Sequence, residues 1–407
     1  MLTRPTVARP IPRVNNPISG FLFHIKIVQR PLSGKKSEPS FQVRRPRVPV
    51  SFRPAEELKP DDVCAFLFAG TGSAGVPDLV SPTRWSPAAA RAVEDVLDAV
   101  QEGLPRTGWP SLRAILLENP GGYRAAARAP GVAQLCGYAA SVAVDRALRT
   151  GGIQPGHAVG QSFGEIAALV CAGAFAIADG ARMAVALVEV LARHGAGGGM
   201  GMLEAGEEAT RAVIAAADAP EVVVACLNAP EVTVVSGPDK PLEAVLAEAA
   251  PRGVRAVRLA VPYLSHHPAM AGADEEWYAA IRGFPQRPLR VRVHSPVRGR
   301  AYTDADDLHR ALADCVVSPV RLPEALRAVH AAGATVFTEA GPGSALCRCA
   351  RLSVPDARTL APLRERPSAG RPAAPPSGAA GASPAEGKSA AGISPAPGRE
   401  GELHDGH

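Results

Sequence analysis

The chain has 407 residues, 46% of them apolar, which is enough for one large domain or two medium ones. Its net charge of +5 is local: residues 1–60 hold 12 Lys/Arg against 3 Asp/Glu, so the remainder carries −4. A basic arm without a basic folded face, in a chain with 4% aromatics, argues against nucleic-acid binding.

The seven cysteines, at 64, 136, 171, 226, 315, 347 and 349, form no CxxC pair. Most lie in apolar runs such as Leu169-Val170-Cys171-Ala172, so they read as reduced, buried, small hydrophobes of a cytoplasmic protein. Cys347 and Cys349 have no accompanying His cluster, which argues against zinc, and no bound cofactor is expected. No apolar run reaches the roughly 18 residues of a membrane span.

Residues 1–60 form a Pro/Arg-rich arm. It is Arg-rich and acid-poor like a transit peptide, but its ten prolines oppose the amphipathic helix of such peptides. Val63-Cys64-Ala65-Phe66-Leu67-Phe68 reads as a buried strand that ends in the turn Gly70-Thr71-Gly72-Ser73. Helices are expected near 87–102 and 132–149, a strand end at 158–160 with His157 ahead of it, and a helix over 166–174. Asp179 is the expected N-cap of a further helix, 180–194.

The glycines of 195–199 read as a hinge. Beyond them come strands over 200–203, 222–226, 232–237 and 254–261, with helices over 207–217 and 240–251. That order, β-α-β-β-α-β, is the ferredoxin-like unit. Val336-Phe337-Thr338-Glu339 is a late strand, and residues 366–407 are an Ala/Pro/Gly/Ser-rich tail expected to be disordered. The fold expected is α/β. A hydrolase-like large domain (61–195 and 262–365) has a mostly parallel sheet and carries an inserted ferredoxin-like subdomain (196–261).

Gly160-Gln161-Ser162-Phe163-Gly164 fits G-x-S-x-G between a strand and a helix. Such a turn is tight enough to need glycine on both sides and to strain the serine backbone. It presents the Ser162 hydroxyl above the sheet and the Phe163 N–H at a helix N-terminus, where an oxyanion can be held. A serine nucleophile needs a base. The informative histidines are His266 and His267 in Pro262-Tyr263-Leu264-Ser265-His266-His267-Pro268, where the chain returns from the inserted unit. Glu165 is expected to satisfy a backbone or Arg partner.

Phe68-Ala69-Gly70-Thr71-Gly72-Ser73, the elbow through Glu165, Tyr263-Leu264-Ser265-His266 and Glu339-Ala340-Gly341-Pro342-Gly343 occur in that order. Together they resemble the landmarks of malonyl-CoA:acyl carrier protein acyltransferases and of polyketide synthase acyltransferase domains. Ala133-Gln134, Asn228-Ala229-Pro230 and Ser318-Pro319-Val320-Arg321 fit as well, and the resemblance spans about residues 62–365.

The resemblance implies that Ser162 is the nucleophile and His266 the base. It implies that a backbone carbonyl near Cys315 orients the His266 ring, that the N–H groups of Phe163 and Thr71 form the oxyanion hole, and that Gln134 lines the site. It implies a ping-pong cycle with CoA and phosphopantetheine thioesters as substrates. The acceptor would be an acyl carrier protein, and the donor an acyl-CoA or a second carrier protein. A monomer is expected, in polyketide or related assembly.

Three positions depart from that pattern. Gln161 stands where the family usually has His, and Thr71 where it usually has Gln. Leu187 stands where extender-loading members carry the arginine that pairs with the acyl carboxylate. Arg182 and Arg193 lie on the same helix, but at about 100° per residue they point off the Leu187 face. The acyl group is therefore expected to be other than plain malonyl, with Leu187, Tyr263 and Ser265 as specificity positions. A carrier-protein thioester hydrolase with the same dyad, and an ordinary malonyl transacylase, remain the alternatives.

Overall fold

The computed structural model describes residues 54–71 and 76–363. The arm before residue 54, the tail and Gly72-Ser73 lie outside the described residues. In chain order the elements are β1 (Cys64–Phe68), α1 (Val80–Thr83), α2 (Pro87–Gly103), α3 (Tyr123–Ala126), α4 (Val132–Thr150), β2 (Pro155–Gly160), α5 (Gly164–Cys171) and α6 (Ile177–His194). Then come β3 (Gly198–Leu203), α7 (Glu207–Ala216), β4 (Val223–Ala229), β5 (Val232–Pro238), α8 (Asp239–Ala249) and β6 (Ala256–Arg258). The remainder is α9 (Ala273–Ile281), β7 (Arg292–Ser295), β8 (Arg300–Ala301), α10 (Leu308–Asp314), β9 (Val320–Arg321), α11 (Leu322–Ala331), β10 (Val336–Glu339), α12 (Ala345–Ser353) and β11 (Arg358–Leu360).

The first sheet runs β11-β10-β1-β2-β7-β8 and is parallel except for β8. All five residues of β1 are buried, as a strand covered on both faces requires. The two-residue period divides them. Cys64, Phe66 and Phe68 join the core that includes α2, α4, α5 and α6, whereas Ala65 and Leu67 pack with α11 and α12. The layers are thus helix, sheet, helix.

The second sheet runs β6-β3-β5-β4-β9. Its first four strands are antiparallel in the ferredoxin-like order, and β9, from the larger body, adds a fifth parallel to β4. One face holds Leu203 and Val235 against Val213, Leu242 and Val245 of α7 and α8. Met200, Met202 and Val234, on the other face, belong to the main core, so the inserted sheet is welded to the large one by apolar side chains. No helix among the described residues is long and apolar enough to cross a membrane.

Three local expectations are corrected. The N-cap of α6 is Ala176, and Asp179 lies inside the first turn, bonded to Arg182 at 2.8 Å. The last strand of the inserted unit is only Ala256–Arg258, because only that stretch pairs with β3. Gly198 and Gly199 belong to β3 itself, where they pair with Pro238 and Gly237 and leave a shorter connection than the glycine run suggested.

The C-terminal ends of β1 and β2 lie side by side, Phe68 opposite Gly160, and the loops that leave them make the site. Their closeness depends on missing side chains. A Cβ on Gly164 would run into the Phe68 carbonyl oxygen, and one on Gly160 into the Glu165 backbone. Gly164→Ala is therefore expected to lose about 1–3 kcal/mol of stability or more by overpacking. Gly137, within α4, has open space around its would-be Cβ, so Gly137→Ala should gain about 0.5–1 kcal/mol. Urea unfolding of both variants checks the contrast.

Candidate active site

Ser162 has φ 55°, a left-handed conformation that costs a non-glycine residue about 1–3 kcal/mol and survives only where its surroundings over-determine it. Here they do. The Gln161 N–H donates to the Phe68 carbonyl at 2.9 Å, and the N–H groups of Gly164 and Glu165 donate to the carbonyls of Gln161 and Ser162 at 3.0 and 2.9 Å. Those bonds leave the Phe163 N–H as the next donor in line at the start of α5.

His266 is brought in from the segment after β6. Its Nε2 lies 2.7 Å from Ser162 Oγ. Its Nδ1 lies 3.1 Å from the carbonyl oxygen of Ser318, which can only accept, so the proton sits on Nδ1 and Nε2 presents its lone pair to the serine. The orienting carbonyl thus belongs to Ser318, three residues past Cys315, with the Cys315 carbonyl as a second, weaker influence. Burial pushes the His266 ring below its ordinary 6.5, and these carbonyls pull it back up. His266 also has φ 55°, so both members of the pair are held in left-handed backbone.

The neighbouring His267 is buried and engaged at both nitrogens. Its Nδ1 accepts from the Ala269 N–H at 3.0 Å, and its Nε2 donates to the Glu221 carbonyl at 2.8 Å. It pins the turn after His266 to the inserted unit and has no bond to Ser162.

Beside the pair lies a cavity lined by Thr71, Ser162, Phe163, Ser265, His266 and Cys315, with Leu187 and Leu191 of α6, Trp277 of α9 and Leu312 of α10. Among the described residues, no Lys, Arg, Asp or Glu lines it. Arg182 is spent on Asp179 and Arg193 on Glu276, away from the cavity. Burial pushes the Cys315 thiol well up, so it stays an uncharged wall.

The other expected site residues stand one step back. The Tyr263 hydroxyl takes a bond from Gln134 Nε2 at 2.8 Å and also bonds the Thr71 side chain. Gln134 therefore braces Tyr263 and does not line the cavity. Gln161 points across to the inserted sheet, its Nε2 donating to Asn228 Oδ1 at 2.5 Å.

Glu165 departs from expectation. Its partner is the Tyr302 hydroxyl, 2.7 Å away on the residue after β8. Burial raises this carboxyl to about 7, opposed by the bonds from Tyr302 and Ser295. His157 is not ahead of β2 but inside it, its Nδ1 3.2 Å from His294 Nε2. Trp277, Leu191 and Leu312 were missed by sequence reasoning, because no motif marks an apolar wall; Ser318 was noted within a motif, but not as the orienting carbonyl. Among the described residues no group of three or more His, Cys, Asp or Glu is placed to hold a metal.

The family pattern described as "Acyl transferase domain" matches residues 81–366. The chain belongs to the acyl transferase domain family. Polyketide synthase GfsE of Streptomyces halstedii is 32% identical over 283 residues, which are 68% of this chain and 7% of that protein. The spectinabilin polyketide synthase system protein NorC of Streptomyces orinoci is 32% identical over 354 residues, 82% of this chain and 15% of that protein.

The chain thus spans a small fraction of the length of these relatives. The malonyl-CoA:acyl carrier protein transacylase of Xanthomonas oryzae shares 28% identity and a TM-score of 0.65, over 74% of this chain and 94% of that one. The acyltransferase domain from the second module of the salinomycin polyketide synthase shares 26% and a TM-score of 0.63, over 75% and 69%.

Two pH effects follow for this acyl transferase domain. A His266 that takes the Ser162 proton has to be unprotonated, and burial depresses its pKa. The acid limb of a kcat/KM profile for Ser162 acylation is expected below the ordinary imidazole range. The raised Glu165 pKa stabilises the fold below its unfolded value of 4.5, and that stability is lost as pH rises through about 7. Glu165→Gln should flatten part of that decline in thermal midpoints measured across the range, with Glu339, also raised to about 7, contributing to what remains.

Proposed function

We propose that this domain transfers an uncharged acyl group from a thioester to the phosphopantetheine thiol of an acyl carrier protein by a ping-pong Ser162/His266 mechanism. The observation that carries it is the 2.7 Å contact from Ser162 Oγ to an oriented, neutral His266 Nε2, set beside a cavity without a cation. The likeness to a malonyl-CoA:acyl carrier protein transacylase and to polyketide synthases supports the carrier protein as acceptor and polyketide assembly as the setting.

In the first half-reaction Ser162 Oγ attacks the thioester carbonyl while its proton passes to His266 Nε2. The carbonyl oxygen becomes an oxyanion within reach of the N–H groups of Phe163 and Thr71. Collapse breaks the C–S bond, and the departing thiolate takes the proton from His266, leaving an ester on Ser162. In the second half-reaction His266 takes the proton of the carrier thiol, whose sulfur attacks that ester, and Ser162 leaves with the proton returned. The Ser318 carbonyl, in place of a carboxylate, supports the transient imidazolium.

The uncharged acyl group follows from the walls. A carboxylate directed at Leu187 would be stripped of water with no cation to meet it, at a cost of several kcal/mol. The expected experiment is intact-protein mass spectrometry with a panel of acyl-CoA donors. Ser162 should gain the mass of neutral acyl groups in preference to malonyl by tenfold or more in rate, Ser162→Ala should gain none, and Leu187→Arg should move the preference toward malonyl. The acyl mass should then appear on added carrier protein. Its loss to water instead would identify a hydrolase, and equal rates for malonyl would overturn the uncharged acyl group.

A further inference from the structure

We infer that Trp277 sets the upper limit on acyl chain length in this site. The inference rests on the assignment of Ser162 as the acylated residue and of the apolar cavity as its acyl pocket.

Trp277 comes from α9, outside every sequence motif of the site, and its indole forms part of the wall shared with Ser162 and His266. It is 2% exposed. The cavity that it lines is small, about 20 Å³, little more than one water molecule needs. An acyl tail extending from Ser162 meets aliphatic side chains at Leu187, Leu191 and Leu312, and the indole of Trp277.

These walls differ in how they can yield. Leucines on a helix change rotamer at small cost, and nothing but packing holds them. Trp277 is tied. Its Nε1–H donates to the backbone carbonyl of Met183 at 3.1 Å, so the ring bridges from α9 to α6 one turn before Leu187. Swinging the ring aside would leave the buried indole N–H unpaired. The ring is also the largest side chain in the wall. The wall therefore has soft members and one stiff one, and the stiff one decides where a chain must stop. Short acyl groups fit by small leucine adjustments, whereas longer ones require the indole to leave its carbonyl.

The test is the rate of Ser162 acylation by acetyl-, butyryl-, hexanoyl- and octanoyl-CoA, followed by intact mass on the full chain, with thermal midpoints recorded. Wild type should show a cut-off after the short donors. Trp277→Leu, which removes the outer ring and the tether, should raise the octanoyl-to-acetyl ratio of kcat/KM at least tenfold, a gain that loss of stability alone does not produce. Trp277→Phe keeps most of the packing but lacks the N–H, and should raise the same ratio less.

An unchanged ratio, within twofold, in either folded variant would overturn the inference. If neither variant folds, the wild-type profile decides: a flat profile with length overturns it, and a sharp cut-off upholds it. A wild type that accepts no uncharged donor would instead sink the assignment of the pocket, a result distinct from an unselective one.

Discussion

The contact between Ser162 Oγ and His266 Nε2, 2.7 Å, is the constraint that the rest of the molecule is arranged to meet. It joins two residues 104 positions apart, each at φ 55°, so neither reaches its place by relaxed local geometry. On the serine side the cost is covered by glycines that let β1, β2 and α5 approach to backbone contact. On the histidine side it is covered by the Ser318 carbonyl and by His267, which fastens the following turn to the inserted unit. The inserted sheet is thus part of the site as well as an appendage to it, since its apolar face continues the main core.

Electrostatics around this pair work by withholding charge. The cavity is lined without a formal charge besides what His266 acquires, and the buried groups nearby are held neutral by desolvation. Burial acts in opposite senses on opposite chemistries. It lowers the His266 pKa, which keeps a base available, and it raises that of Glu165, which moves a carboxyl toward its uncharged form on the elbow helix. Among the described residues, the side chains around Ser162 and His266 are therefore apolar or uncharged.

Much of this was legible in the chain itself. The run from Cys64 to Phe68 could only be a buried strand, and G-x-S-x-G between a strand and a helix could only place Ser162 at a strained turn. Less legible were the ends of elements. Asp179 has the chemistry of an N-cap but sits within the first turn, because the chain enters α6 two residues earlier and Arg182 claims its carboxylate. Glu165 was expected to meet a backbone or Arg partner and His157 to stand ahead of the strand, but their partners, Tyr302 and His294, each lie 137 residues away.

The sequence by itself determined the local pattern: a serine on a glycine turn, a histidine following the inserted unit, and an aliphatic Leu187 on the helix beyond the elbow. These are properties of short stretches, where backbone sterics and side-chain type leave few alternatives. The tertiary structure alone decided which carbonyl orients His266, which nitrogen of its ring faces the serine, and that Trp277 closes the pocket by bonding to Met183. Each of those depends on helices and strands from separate parts of the chain meeting at side-chain distance. No periodicity or motif records such a meeting, because it is fixed by how whole layers pack.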